Sequence, residues 1–285
     1  MSIKVLTDGS VDLPENILEH YQIDVVPVSI TIDGELFLGG VDISAAQFYE
    51  RQRTANTLPT TTRPTASQFA EAFEKGLSTH DQVLCLSLSS ALSQTYDEAL
   101  KAAQRFPAGK VVVQDSRTLS GALGFQLVAA ARAIQGGGNM EQARAAARHA
   151  HQNSEFFFAL DDLSYLVKSG RIGRLTGTFG SFLNLKPINK VDKEKGTYVN
   201  VARVRSFNAT MDKMVELAAE VVGEGQAGRF MVLHGQMDPE AQHVANMIQE
   251  RFDARWLYVG RTSPGIGVHT GPRALAVIAA RGDWE

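Results

Sequence analysis

The chain has 285 residues, a formal charge of −3 and 44% hydrophobic residues, enough for a sizeable core and long enough that two domains are expected. That charge, with a pI near 6.2, leaves no electrostatic footprint for nucleic acid. Cys85 is the single cysteine, which excludes a disulfide framework and fits a reducing compartment. Met1–Val5 lacks the apolar core of a signal peptide, and no apolar run approaches the roughly 18 residues of a membrane span, so a cytoplasmic location is expected.

Ile3–Thr7 reads as a first strand, and Pro14 opens a helix over Glu15–Tyr21. Asp24–Ile32 reads as a second strand, with Asp33-Gly34 turning it into a hairpin with Glu35–Leu38. Ser44 and Gln47 form a capping box for a helix ending near Arg53. The threonine-rich stretch Thr54–Thr65, holding Pro59 and Pro64, reads as irregular loop, and Thr65 with Gln68 caps the next helix.

Val83–Leu86 is a buried strand, and Leu92, Tyr96, Ala99, Leu100 and Ala103 keep helical spacing after it. Ser89, Ser90 and Ser93 therefore stand where a strand hands over to a helix. Either Ser89 or Ser90 caps that helix, with Thr95 and Glu98 as a second capping box, or the exposed N–H groups hold a small anion. Lys110–Gln114 is a further strand, followed by an alanine-rich helix over Leu119–Gln135, a stop at Gly136–Gly138, and a helix from Asn139 and Gln142 to about Gln152. Strands alternating with helices argue for right-handed crossovers and a mostly parallel sheet, with Thr7–Ser10, Ser89–Ser93 and Asp115–Ser116 all at strand carboxyl ends.

The second half mixes patterns. Glu155–Leu160 is a strand, Asp161–Lys168 a short helix, Ser169–Arg174 a basic glycine-broken loop, and Phe179–Leu185 an apolar run. Ile188–Val191 and Thr197–Val204 flank a hairpin turn at Asp192–Gly196, a helix covers Ala209–Val222, Arg229–Leu233 is a strand, and Asp238–Arg251 is a helix. Arg255–Val259 and Ala274–Ala280 are strands joined by a loop over Arg261–Arg273. The fold class expected is α/β in two domains: residues 1–150 as a Rossmann-like, mostly parallel sheet with flanking helices, and residues 151–285 as an α+β domain.

Ile266–Pro272, with Gly265 just before it, has Gly-x-Gly-x-x-x-Gly spacing followed by a strand, which does not fit a dinucleotide loop, and no phosphate-binding loop, nucleophile elbow or His-Glu-x-x-His appears. His149 and His151 lie two apart on a helix and face different ways, a poor metal pair. His269, between glycines, is either a satisfied loop histidine or a donor to an anion. Ser93, His269 and Asp115 leave a hydrolase or acyltransferase triad open, although nothing marks an oxyanion hole.

Read together, the chain resembles the DegV family of bacterial fatty-acid-binding proteins over essentially its whole length. The resemblance rests on Thr7–Pro14, Val26–Val28, Thr61–Pro64, Ser89–Tyr96, Asp115-Ser116, Leu163–Ile172, Leu185–Ile188 and Ile266–Pro272, in that order. It implies a long-chain fatty acid such as palmitate in an apolar tunnel, with its carboxylate held by Thr61, Ser93 and His269 and with Thr62 nearby. It implies no cofactor and no catalysis by the chain itself, but a partner, an ATP-using fatty acid kinase that receives the carboxylate for acyl-phosphate formation. Arg171 and Arg205 match basic positions expected to face the kinase or the acyl phosphate. Three residues depart from the family pattern: Arg63, Gln94 and Arg273 stand where glutamine, glycine and glycine are usual. Gln94 is expected to add a side chain beside the carboxylate, and the two arginines to add charge near it. A carrier for another amphiphilic carboxylate remains an alternative.

Overall fold

The structure is a computed structural model describing residues 2–176 and 185–282; the apolar run expected over Phe179–Leu185 lies outside them except for Leu185. Strand β1 (Ile3–Asp8) leads through helix α1 (Glu15–His20) to β2 (Asp24–Val26). The strand expected to run on to Ile32 breaks there. Pro27 has no N–H for a ladder, so the chain leaves the first sheet and re-enters strand geometry as β3 (Ser29–Ile32), paired instead with β4 (Glu35–Leu38). Asp33 (φ 48°) and Gly34 (φ 86°) make the two-residue turn between them, as the sequence suggests.

Helix α2 (Ala45–Thr54) starts at the Ser44–Gln47 capping box. The threonine-rich loop is not wholly irregular: Thr60–Thr62 form β5, antiparallel to β3, giving a small sheet in the order β4-β3-β5. β-branched threonines fit an edge strand, and Pro59 and Pro64 stand just outside it.

Helix α3 (Ala66–Leu77) starts at the Thr65–Gln68 box. Then follow β6 (Gln82–Ser87), α4 (Thr95–Ala103), β7 (Val111–Asp115), α5 (Ser120–Gln135) and α6 (Met140–Gln152), the last capped by Asn139 and Gln142. β2, β1, β6 and β7 form a four-stranded parallel sheet in that order.

The rest of the described chain runs β8 (Ser154–Leu160), α7 (Ser164–Lys168), a 3-10 turn at Ile172–Arg174, β9 (Leu175–Thr176), β10 (Lys186–Val191), β11 (Tyr198–Val204), α8 (Asn208–Val222), β12 (Ala227–His234), α9 (Asp238–Arg251), β13 (Asp253–Arg261), α10 (Pro264–Thr270) and β14 (Ala274–Arg281). These strands make a mixed sheet ordered β13-β12-β14-β8-β10-β11-β9. Helix α10 replaces the loop expected over Arg261–Arg273. Pro264 at its first position and Gly271 at its end (φ 73°) supply start and stop. The fold is thus α/β, with a parallel four-stranded sheet, a mixed sheet and flanking helices.

Helices α8 and α9 cover one face of the mixed sheet, burying Met214, Val215, Ala241 and Val244 against Phe157, Phe230 and Val277. Helix α5 lies on the other. Its Leu123 and Leu127 pack with Ile3, Val5, Leu84 and Leu86 of the parallel sheet, while Ala122 and Phe125 pack with Phe156, Phe158, Met231 and Ile278 of the mixed sheet. A helix covered on both sides must be apolar nearly all round, which explains its alanine-rich composition. No helix among the described residues is long and apolar enough to cross a membrane.

Candidate functional site

The carboxyl ends of β1, β6 and β7 meet at one edge of the parallel sheet. There Asp8, fully buried, accepts hydrogen bonds from Ser10 N (3.0 Å), Ser87 Oγ (2.7 Å) and Leu88 N (2.8 Å), which ties the loops after β1 and β6 together. Asp12 is buried too, accepting from Ser120 Oγ and from Ser263 N, each at 2.6 Å, and so linking the start of α5 to the start of α10. Burial raises its carboxyl pKa to about 6 against those donors.

The serines after β6 do not act as expected. Helix α4 begins only at Thr95, with Gln94 in the capping position and no side-chain cap. The N–H groups of Leu92 and Ser93 close a turn on Ser89 O (2.9 and 3.1 Å), which delays the helix by about one turn. Ser90 Oγ instead donates to Asp115 (2.6 Å), and Ser89 Oγ to Gly196 O at the tip of the β10–β11 hairpin (2.9 Å). A carboxylate and a buried carbonyl outcompete a cap. The Thr95–Glu98 box is also absent: Thr95 Oγ1 pairs with Ser93 Oγ (2.8 Å), while Glu98 accepts from Ala66 N (3.0 Å) and Lys101 (2.9 Å).

Above this edge opens a cleft of about 520 Å³, within the range of small-molecule sites. Thr61, Thr62, Ser93 and His269, named from sequence for the carboxylate, all line it, as does Arg171. Thr61 Oγ1 and His269 Nε2 share a 3.0 Å hydrogen bond. Ser93 Oγ also accepts the Thr95 N–H (3.3 Å), so its hydroxyl stands at the first residue of α4. Arg171 donates to Ser169 O. Arg205 is not brought in: it is exposed in the turn between β11 and α8 and does not line the cleft.

The opposite character appears on the inner wall. Leu88, Leu92, Leu119, Leu166, Tyr198 and Ile266 line the cleft and belong to, or pack against, the apolar cluster that contains Phe156, Phe158 and Val191. A polar rim thus sits above an apolar wall that is continuous with the core between α5 and the mixed sheet.

The departures from the family pattern resolve differently. Arg63 lines the cleft beside Glu98, whose carboxyl is held below its ordinary pKa by Lys101 first and by Arg63 among the further causes. Arg273 does not line it. Its Nε lies 2.6 Å from Asp161 Oδ2 and its guanidinium packs 5.8 Å from the Phe207 ring centroid, so its charge is spent on a structural pair. Burial of Asp161 works against ionisation, but Lys186 and Arg273 hold its pKa below the usual value. Gln94 is exposed and outside the lining.

The Ser93–His269–Asp115 relay is not assembled. Ser93 pairs with Thr95, His269 Nε2 with Thr61, and Asp115 with Ser90 and Arg117 N. His149 and His151 have separate partners, Asn153 for one and Gln126 with Lys193 O for the other, and among the described residues no His, Cys, Asp and Glu group could hold a metal. Sequence reasoning missed Asp8, Thr95 and Thr270 in the lining, as well as the buried Asp12 outside it. The Asp8-Gly-Ser-Val-Asp12 spacing was the available signal, but only depth in the fold gives those carboxylates their task.

The DegV family model, described as one of uncharacterised proteins, matches residues 2–282. A DegV domain-containing protein of Deinococcus radiodurans is 34% identical over 284 residues, covering 99% of this chain and 97% of that protein. One from Clostridium perfringens is 30% identical over 285 residues, covering 99% of each. Among solved structures, the fatty-acid-binding DegV of Bacillus subtilis superposes with a TM-score of 0.88 at 26% identity, covering 98% of this chain and 99% of that one. A fatty-acid-binding DegV family protein of Thermus thermophilus gives 0.89 at 25% identity, with the same coverage.

Proposed function

The chain belongs to the DegV family, and from that premise we propose that it is a cytoplasmic carrier for a long-chain fatty acid such as palmitate. The carboxylate rests among Thr61, Thr62, Ser93 and His269, and the acyl chain runs into the apolar compartment behind Leu92, Leu166 and Ile266. The observation that carries this reading is the cleft itself, where hydroxyls and an imidazole rim an apolar wall. Fatty-acid binding by the relatives from B. subtilis and T. thermophilus supports it.

The energetics fit. A sixteen-carbon chain offers a gross gain of order 12 kcal/mol at about 0.8 kcal/mol per buried CH₂, much of it offset by association and ordering. Each hydrogen bond to the charged head adds about 1.5–3 kcal/mol. The apolar compartment therefore sets affinity and the rim sets orientation. Residues 1–150 contribute Thr61, Thr62 and Ser93, and residues 151–285 contribute Arg171 and His269, so the ligand is held where the two domains meet.

Neutral hydroxyls leave the carboxylate nucleophilic, which suits its transfer to a separate ATP-using fatty acid kinase that makes the acyl phosphate. Arg171, on the cleft wall, and Arg205, exposed beyond it, are the basic contacts for that partner or product.

Denaturing extraction of the purified protein followed by lipid mass spectrometry tests the carrier reading. A long-chain acid at near one per chain is expected; finding none, with no uptake when one is offered, sinks it. Ser93→Ala should weaken retention of the acid by about tenfold. Turnover of an activated ester that disappears in Ser93→Ala would make the protein a hydrolase instead. Presentation is checked by adding ATP, hydroxylamine and host extract to the loaded protein. An acyl hydroxamate is expected, and its absence removes the kinase step while leaving the carrier intact.

A further inference from the structure

Asn189 lies in β10 and is 1% exposed, yet neither Oδ1 nor Nδ2 of its side chain has a hydrogen-bond partner among the described residues. Burying an amide without partners is costly, and native proteins seldom do so without cause. The neighbour best placed to help is already committed. Asn200, opposite Asn189 across β11, donates to Ile188 O and Ala202 O (each 3.0 Å) and accepts from Arg203 Nε (3.1 Å) at the bulge between Ile188 and Asn189.

Register tells which way the amide faces. Asn189 is paired with Phe158 of β8, and directly paired residues share a face of the sheet. Phe158 stacks on Phe156 and meets Tyr198 edge-on, with ring centroids 5.1 Å apart, and Tyr198 lines the cleft. Val191, two residues on from Asn189, belongs to the same apolar cluster. The amide therefore faces the apolar cluster behind the inner wall of the cleft, with Phe158 between it and the wall residue Tyr198 and with Asn200 as its polar neighbour on that face.

We infer that Asn189 is a specificity-determining residue that hydrogen-bonds an oxygen carried by the acyl chain itself, a hydroxyl or oxo group well away from the carboxylate. This rests on the carrier reading above and deepens it by naming the ligand class. An amide offers a donor and an acceptor, so it serves either group. A chain lacking the oxygen leaves the amide unpaired, and that difference is the source of selectivity.

The test uses delipidated full-length protein, stearic acid, and hydroxystearic acids with the hydroxyl at successive mid-chain positions. The wild type should retain at least one positional isomer about tenfold better than stearic acid, and Asn189→Leu, which keeps the branched shape, should abolish that advantage while still binding stearic acid. Asn189→Ala should abolish it too, without adding bulk. In ligand-free protein, Asn189→Leu should melt no lower than the wild type, because an unpartnered buried amide contributes nothing to the fold. If stearic acid binds but no isomer gains over it, or the gain survives in both variants, the inference is overturned and the amide belongs to an internal water. A clear drop in melting temperature in Asn189→Leu also overturns it, by making the amide structural. If neither stearic acid nor any isomer is retained, the carrier reading fails and takes this inference with it.

Discussion

Thr61 and Thr62 are neighbours in β5 with different surroundings. Thr61 is paired with Ile30, which is fully buried, and it faces inward to His269, whereas Thr62 is exposed at the rim. Thr61→Val, which keeps the β-branched shape, should weaken fatty-acid retention about tenfold or more in a displacement assay, and Thr62→Val should weaken it less. Asp12 carries a different prediction. Its folded pKa, about 6, lies above the ordinary 3.8, so the fold disfavours the ionised form. The stabilising contribution is complete below pH 3.8 and is lost as pH rises to about 6. At about 1.4 kcal/mol per tenfold change in proton affinity, the loss is about 3 kcal/mol. Urea unfolding at stepped pH should show that decline in the wild type and a flatter profile in Asp12→Asn, whose amide can still accept from Ser263 N–H.

At the scale of elements, the β10–β11 hairpin tip shows how a distant segment pins the loops after β6 and β7. Gly196 has φ 66°, and a Cβ there would stand 2.2 Å from Ser89 Oγ. Arg117 NH1 also reaches Glu194 O (2.8 Å) on the same tip. Gly196→Ala would combine left-handed strain with a clash, so denaturant unfolding should show a loss of at least about 2 kcal/mol. Asn139→Ala, which removes the α6 capping box from the opposite end of the molecule, should cost about 1 kcal/mol and leave ligand retention unchanged. The capping boxes and the Asp33-Gly34 turn were legible because their chemistry is local. The break at Pro27, strand β5 and the late start of α4 were not, because each depends on which sheet or carboxylate competes for the same groups.

For the molecule as a whole, α5 is the shared layer between the two larger sheets, and Gly121 permits the close approach: a Cβ there would lie 2.5 Å from Met231 Sδ and 3.1 Å from Ile278 Cδ1. Gly121→Leu should cost roughly 3 kcal/mol by overpacking and lower the melting temperature of ligand-free and loaded protein alike. Loading with fatty acid at a hundredfold excess over Kd should stabilise the wild type by about 2.7 kcal/mol, read as a rise in melting temperature on relipidation. By itself the sequence determined the alternation of strands and helices, most helix starts, and, through ordered motifs, the family and four residues of the cleft rim. These follow from hydrophobic period, turn chemistry and capping, which act over a few residues. Only the tertiary structure decided that Ser89 and Ser90 serve the hairpin and Asp115, that Arg273 is held by Asp161, that Arg205 stays outside the cleft, and that Asn189 is buried on the face of the apolar cluster. The pairings depend on partners far away in the chain, and the placements of Arg205 and Asn189 on how the strands pack, so packing rather than neighbours in sequence sets all of them.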